Sequence, residues 1–338
     1  MKKYSMKDIA KLSNVSVATV SRVINKNGRF SEETKNKVMK VIKETGYQPN
    51  FSAKSLRMNR SLSIGILVPD ITNYFFADVV QKIEEILFQE GYSTIICNTN
   101  RNNDKELVYL NILRSKNVDG LIVISGAEEF DFSTPSNATK VIPYICIDRA
   151  PKKEEDTFFI SSDHYEGAFL ATEKLIESGS TLPIFIKHSN RTSTSQIERF
   201  KGFKDALNKY NIGFEQEKNV LSVNLTDTAD QMKLINFFNK HPQIDGVFAV
   251  NDNLAIRVID TLKQMNLAVP KDVKVIGFDG VPHGANMSPS LSTIEQNTDD
   301  IANVAVLNLL KLIKNPKNTG EIIRVPVSLI QRESTQMS

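Results

Sequence analysis

The sequence predicts an α/β protein: a small, basic, all-α helix-turn-helix head joined to a larger, two-lobed α/β body. Three observations carry this. Charge is unevenly placed, with 14 Lys and Arg against 4 Asp and Glu in residues 1–60, and 28 against 35 in the remainder. The head contains three short helical patterns, each with its own start signal. The rest alternates apolar, strand-like runs with helical spacing, in two sets, the arrangement that gives parallel sheets covered by helices.

Composition narrows the class. The chain has 338 residues, 41% hydrophobic and 24% charged, an ordinary globular balance. No apolar run approaches the roughly 18 residues of a membrane span. Met1 to Ser16 lacks the apolar core of a secretory signal, so a cytoplasmic protein with no membrane partner is expected. The two cysteines, Cys97 and Cys146, can build neither a disulfide framework nor a four-ligand zinc site, and read as core residues of strands. The basic head facing an acidic body points to a polyanion partner for the head alone.

Ser5 with Asp8 has the form of a capping box, and Ile9, Ala10 and Leu12 follow as buried positions. Asn14 breaks that pattern. Ser16 can cap a second helix whose apolar arc is Val20, Val23 and Ile24, leaving Val17, Ala18, Ser21 and Arg22 on the opposite arc. Ser31 opens a third helix with Glu32 and Glu33 in its first turn, Val38, Val41 and Ile42 inward, and Gly46 as its stop. Three helices with a tight first turn match the helix-turn-helix, whose second helix enters the major groove. An ordinary solvated face would carry Glu and Lys; this one is small and hydrogen-bonding, and Arg22 suits a guanine edge. Pro49 ends this region. Phe51 to Met58 has room for about two helical turns, too few to be stable alone. On its own it reads equally as a plain tether.

In the body, strand-like runs cover Leu62 to Val68, Ser93 to Cys97, Gly120 to Ile124, Tyr144 to Ile147, Phe158 to Ile160, Pro183 to Lys187, Gly246 to Val250 and Lys274 to Gly277. Helical spacing covers Phe76 to Glu90, Lys105 to Lys116, Gly167 to Ser178, Ile197 to Tyr210 and Leu254 to Asn266. Ligands of such sheets sit at the carboxyl ends of the strands. Asn73, Phe75, Phe76, Asp148, Arg149, Asn251 and Asp279 fall just past predicted strand ends. Carboxylates, amides and arginines can share a polyol's hydroxyls while aromatic rings cover its apolar faces. Each polar residue taken singly reads equally well as a turn or helix cap. There is no P-loop, no GxGxxG and no metal spacing among His164, His188, His241 and His283, so neither cofactor nor metal is expected.

Met6-Lys7-Asp8-Ile9-Ala10, then Val15 through Asn25, then Gly46-Tyr47-Gln48-Pro49-Asn50 and Ala53-Lys54-Ser55-Leu56-Arg57 resemble the lactose-repressor (LacI/GalR) family. The resemblance runs through nearly the whole chain. It implies a helix-turn-helix domain over 1–49, a hinge helix over 50–60 and a periplasmic-binding-protein-like body over 61–338. Lobe one would span about 61–162 and 292–323, and lobe two about 163–291 and 324–338. It implies operator contacts from Ser5, Ser16, Val17, Ala18, Thr19, Ser21, Arg22, Arg29, Asn50, Lys54 and Leu56, the last wedging between base pairs. It also implies an effector pocket of Asn73, Phe75, Phe76, Asp148, Arg149, Arg199, Asn251, Asp279 and Gln296. Tyr74 stands where the family usually has Pro, and Ser178 to Pro183 departs from its usual Gly-His loop. The function implied is a repressor of near-palindromic, double-stranded operator DNA, acting as a homodimer and set by a small carbohydrate. Alternatives are a global regulator with a phosphoprotein co-repressor and a sugar-handling enzyme; no catalytic constellation supports the last.

Overall fold

The computed structural model describes residues 4–25, 27–47, 60–124, 142–151, 157–189, 193–224, 228–315 and 320–336. The chain divides into two units between Ser61 and Leu62.

The first unit holds α1 (Met6–Leu12), α2 (Val17–Asn25) and α3 (Glu32–Thr45). Its starts are the caps that the sequence offers. Ser5 N donates to Asp8 Oδ2 at 2.8 Å while Asp8 N donates to Ser5 Oγ at 3.3 Å. Thr19 N donates to Ser16 Oγ at 3.1 Å and Thr34 N to Ser31 Oγ at 3.2 Å. Asn14, left-handed at φ 52°, closes α1, with Val15 N donating to Ala10 O at 3.0 Å. Ile9, Ala10, Val20, Val23, Val38 and Tyr47 form the core, with Ile24, Val41 and Ile42 packed against it. Leu12 departs from expectation and is 56% exposed. It is the last residue of a seven-residue helix and lies outside that cluster.

The second unit begins with β1 (Ser63–Val68), α4 (Tyr74–Gln89), β2 (Ser93–Asn98), α5 (Asn103–Ser115), β3 (Gly120–Ile124), β4 (Tyr144–Ile147) and β5 (Phe159–Ser162). It continues with α6 (His164–Glu177), β6 (Pro183–His188), α7 (Thr194–Lys209), the short α8 (Gln216–Asn219), β7 (Val220–Val223), α9 (Thr228–Lys240) and β8 (Gly246–Ala249). Then come α10 (Asp252–Gln264), β9 (Lys274–Asp279), the short α11 (Pro282–Ala285) and β10 (Ser292–Gln296). The chain closes with α12 (Thr298–Lys314), β11 (Ile322–Val325), β12 (Val327–Ile330) and a final 3-10 turn, Glu333–Thr335.

Two six-stranded sheets result, in the orders β11-β5-β4-β3-β1-β2 and β12-β10-β9-β8-β6-β7. All pairings are parallel except β10 with β12. Ser292 to Glu295 pair with β9, so β10 belongs to the second sheet. The return to the first lobe therefore falls at α12, not at about residue 292, and β11 carries the first lobe to Val325, close to the expected end at about 323. All five body helices read from apolar spacing start earlier than that spacing suggests, three of them as follows. Asn73 caps α4 through Phe75 N at 3.0 Å, Asp163 caps α6 through Glu166 N at 3.0 Å, and Asn251 caps α10 through Leu254 N at 3.1 Å. Apolar spacing marks the buried face; the cap marks the end.

The first lobe's core joins Ile64, Ile66 and Ile122 of the sheet to Val79 and Ile83 of α4 and to Ile301, Ala305 and Leu309 of α12. The second lobe's core centres on Phe185, Phe203, Phe248 and Phe278. Cys97 and Cys146 are buried in the first lobe, on the opposite side of its sheet from the α4–α12 cluster. Burial pushes the Cys146 thiol far up, which makes it inert packing.

Candidate effector cleft and nucleic-acid face

Strand ends and helix residues from both lobes line one cleft: Asn73, Phe75, Phe76, Arg101 and Asp148 from the first lobe, and His188, Arg199, Val250, Asn251, Asp279 and Gln296 from the second. The cleft opens to solvent. Eight of the nine effector residues expected from the sequence lie on this lining.

Arg149 is the exception. It is buried, but its guanidinium donates to Glu106 Oε2 of α5 at 2.8 Å and is absent from the lining. Asp148, the residue before it, is left-handed at φ 53°. The backbone turns there, so the two neighbouring side chains do not share a direction.

The charged groups form one connected network. Asp148 Oδ1 accepts from Ser161 Oγ and pairs with His164 Nε2, both at 2.9 Å. Arg199 approaches His164 Nδ1 with Nε at 3.4 Å and Nη2 at 3.3 Å, donates to Val250 O, and reaches Asp279 Oδ1 at 3.5 Å. Its guanidinium lies 3.6 Å from the Phe278 ring centroid, a close cation–π arrangement. Gln296 Nε2 donates to Asp279 Oδ1 at 2.7 Å. The other amide atom, Gln296 Oε1, is buried and has no partner among the described residues.

Two carboxylates of this network titrate in opposite directions. Burial pushes Asp148 up, but the His164 ring, Arg199 and the Ser161 hydroxyl outweigh it and hold Asp148 below the ordinary carboxylate value. Burial pushes Asp279 up to about 7; Arg199 pulls against this and Asp252 adds to it. Burial also lifts Asp252 to about 6, although Thr293 Oγ1 and Val281 N donate to it at 2.6 and 2.8 Å. Those two bonds fix the turn that carries Asp279, which is itself at φ 121° ahead of Gly280 at φ 77°. Such conformations cost energy and collect at functional sites.

Asn73 and Asn251 start helices with their Oδ1 atoms, and both residues also line the cleft. Sequence reasoning missed Arg101, His188, Ser193, Ser195 and Gln196 on the lining, and His164 behind it. Arg101 lies 5.5 Å from the Phe76 ring centroid. Arg101 and His188 also sit at or just past strand ends, so the rule that found Asp148 reaches them too. Among the described residues no cluster of His, Cys, Asp and Glu suits a metal ion.

On the head, Val17, Ala18 and Arg22 are exposed and Thr19 and Ser21 half-buried. Ser5 and Ser16 spend their hydroxyls on caps. The Arg22 stem lies against Gly28, where a Cβ would come within 3.3 Å of Arg22 Cδ. Arg29 is exposed beyond it. Asn50, Lys54 and Leu56 lie outside the described residues.

A helix-turn-helix head followed by a two-lobed α/β body with an interlobe cleft defines a DNA-binding regulator with a sensor body. The comparisons agree. Residues 5–50 match the model of bacterial regulatory proteins, lacI family, and residues 172–335 match a periplasmic binding protein-like domain. The ribose operon repressor of Halalkalibacterium halodurans is 35% identical over 335 residues, covering 98% of this chain and 97% of that protein. The lac repressor dimer bound to operator and an anti-inducer shares the fold at TM-score 0.86 and 23% identity, over 99% of this chain and 100% of that one. A LacI family regulator of Enterococcus faecium with bound ribose aligns at TM-score 0.69 and 28% identity, over 80% of this chain and 98% of that one. The chain belongs to the lacI family of bacterial transcriptional regulators. No described helix is long and apolar enough to cross a membrane.

Proposed function

We propose that this protein is a cytoplasmic repressor, not an enzyme, whose grip on operator DNA is set by a carbohydrate in the interlobe cleft, with D-ribose the first candidate. The observation that carries this is the cleft's donor–acceptor set. Asp148 and Asp279 approach from different lobes, Arg199 lies between them, and Gln296 Oε1 is a buried acceptor awaiting a donor. Buried polar atoms are almost always paired, so an orphan in a cleft suits a ligand hydroxyl. Phe75 and Phe76 supply apolar cover for a sugar ring. A relative named for the ribose operon and a family member with bound ribose support the choice of sugar.

A ligand shifts this equilibrium only by binding one cleft arrangement better than the other. Closure around the sugar alters the spacing at which a homodimer presents its two linkers, and so the fit of residues 50–60 to a near-palindromic operator. In this reading Arg22 reads a base and Leu56 wedges the minor groove. Asn50 and Lys54 add linker contacts to the operator.

The test is operator titration of the full chain at one fixed salt concentration, with and without D-ribose, beside calorimetry of the sugar. A 5–150-fold change in operator affinity, roughly 1–3 kcal/mol of coupling, is expected. Sugar binding with no change in operator affinity would refute the regulatory role.

A further inference from the structure

His164 belongs to none of the residues that the motifs single out, yet it joins the two lobes chemically. It is the first residue of α6, immediately after the crossing from β5, and is 1% exposed. On one side its Nε2 lies 2.9 Å from Asp148 Oδ1, at the end of β4 in the first lobe. On the other its Nδ1 faces Arg199 Nε and Nη2 at 3.4 and 3.3 Å, on α7 in the second. Phe278 packs beside the ring at 5.6 Å between centroids.

The partners decide where the proton is. A guanidinium has donors only, so a ring nitrogen facing it must accept. His164 Nδ1 is therefore bare, and the proton is on Nε2, directed at the carboxylate. Arg199, His164 and Asp148 form a one-way chain of donors, running from the second lobe to the first and ending on an atom of the cleft wall. Ser161 Oγ supplies the other donor to the same carboxylate oxygen.

We propose that His164 is a positioning residue which, as a neutral Nε2–H ring, ties the Asp148 carboxylate of one lobe to the Arg199 guanidinium of the other and so fixes the geometry in which the cleft holds its ligand. This rests on the cleft being the effector site. A ring held this way does three things. It orients Arg199 toward Val250 O and Asp279, keeps Asp148 ionised, and makes the two lobes' ligand groups depend on one another across the hinge.

Two measurements on the full chain test it. The first needs no ligand. In ¹⁵N-labelled protein at pH 7.5, the ring signals lost in His164→Gln should show, in the wild type, a bare Nδ1 and an exchange-protected Nε2–H. That N–H should lose its protection in Asp148→Ala. A proton on Nδ1 overturns the relay. The second is calorimetry with D-ribose between pH 5.5 and 8. His164→Phe should weaken binding roughly 10–100-fold, and the loss should deepen toward acid pH, because Asp148 has lost the Nε2–H donor whose hydrogen bond favours its ionised form. His164→Gln, whose amide can both donate to Asp148 and accept from Arg199, should stay within about 5-fold of wild type. Wild-type affinity and pH profile in His164→Phe would refute the proposal, as would a Gln variant as weak as the Phe variant. A wild type that ignores D-ribose but shows the Nε2–H ring would overturn the choice of sugar and support the relay.

Discussion

Asp148 and Asp279 occupy matching places, one per lobe. Each ends a strand or directly follows one, each has a positive φ, each faces the same cleft, and each lies near Arg199. Yet one carboxyl is held below its ordinary value and the other is lifted to about 7. The difference lies in the company. Asp148 has a hydroxyl and an imidazole aimed at it and no acid among the groups that shift it most. Asp279 has Gln296 and a long approach from Arg199, with the buried Asp252 nearby. Fold position alone therefore does not set a carboxylate's chemistry; the donors directed at it do.

The largest break in this comparison comes from removing what the two acids share. Arg199→Met leaves both without their guanidinium. Losing one partner of a buried ionic network costs about 3–5 kcal/mol, and D-ribose binding should fall at least 100-fold; urea unfolding and calorimetry measure the two effects.

The next break separates the acids by pH. The stability that Asp148 contributes is present above its unfolded value, 3.8, and is lost as pH falls through its lower folded value. Asp148→Asn should therefore be less stable than wild type at pH 7, with the gap closing toward pH 3. Asp279 works in reverse. Its raised carboxyl favours the fold below 3.8, and that advantage is lost as pH rises through about 7. Asp279→Asn stays neutral, so its stability relative to wild type should rise as pH climbs toward and through about 7 and should not change with pH below about 4. Both variants should lose the sugar. Thermal unfolding across pH, without ligand, would show the two curves diverging; movement in the same direction would show that the environments do not differ as described.

The smallest change sharpens the account of Asp148 alone. Ser161→Ala removes one neutral donor and should cost about 1 kcal/mol of stability at pH 7, with ribose affinity reduced a few-fold. A loss as large as that of Arg199→Met would mean that Ser161, not the cross-lobe chain, governs the site.

Much of this was legible in sequence because it is local. Ser5, Ser16, Ser31, Asn14 and Gly46 act within four residues of themselves, and the head's helices follow from them. Strand-end polar residues were legible by position, which placed Asp148, Asn251 and Asp279 correctly on the cleft. Side-chain direction was not legible: Arg149 follows Asp148 yet pairs with Glu106, 43 residues away. His164 was hidden for the same reason, since its partners are 16 and 35 residues distant. Leu12 shows the limit of periodicity at a helix end, where the spacing continues but the core does not.

The order of the strands has a consequence for how the protein is made. The first sheet is completed by β11 and the second by β12, while α12 supplies a large part of the first lobe's core. Neither lobe can finish until the last tenth of the chain has left the ribosome. The head, by contrast, is whole by Tyr47. At about 5–20 residues per second, every nascent chain spends some tens of seconds with a completed basic head and an unfinished sensor. Translation thus produces the DNA-binding end of the molecule well before the part that can restrain it.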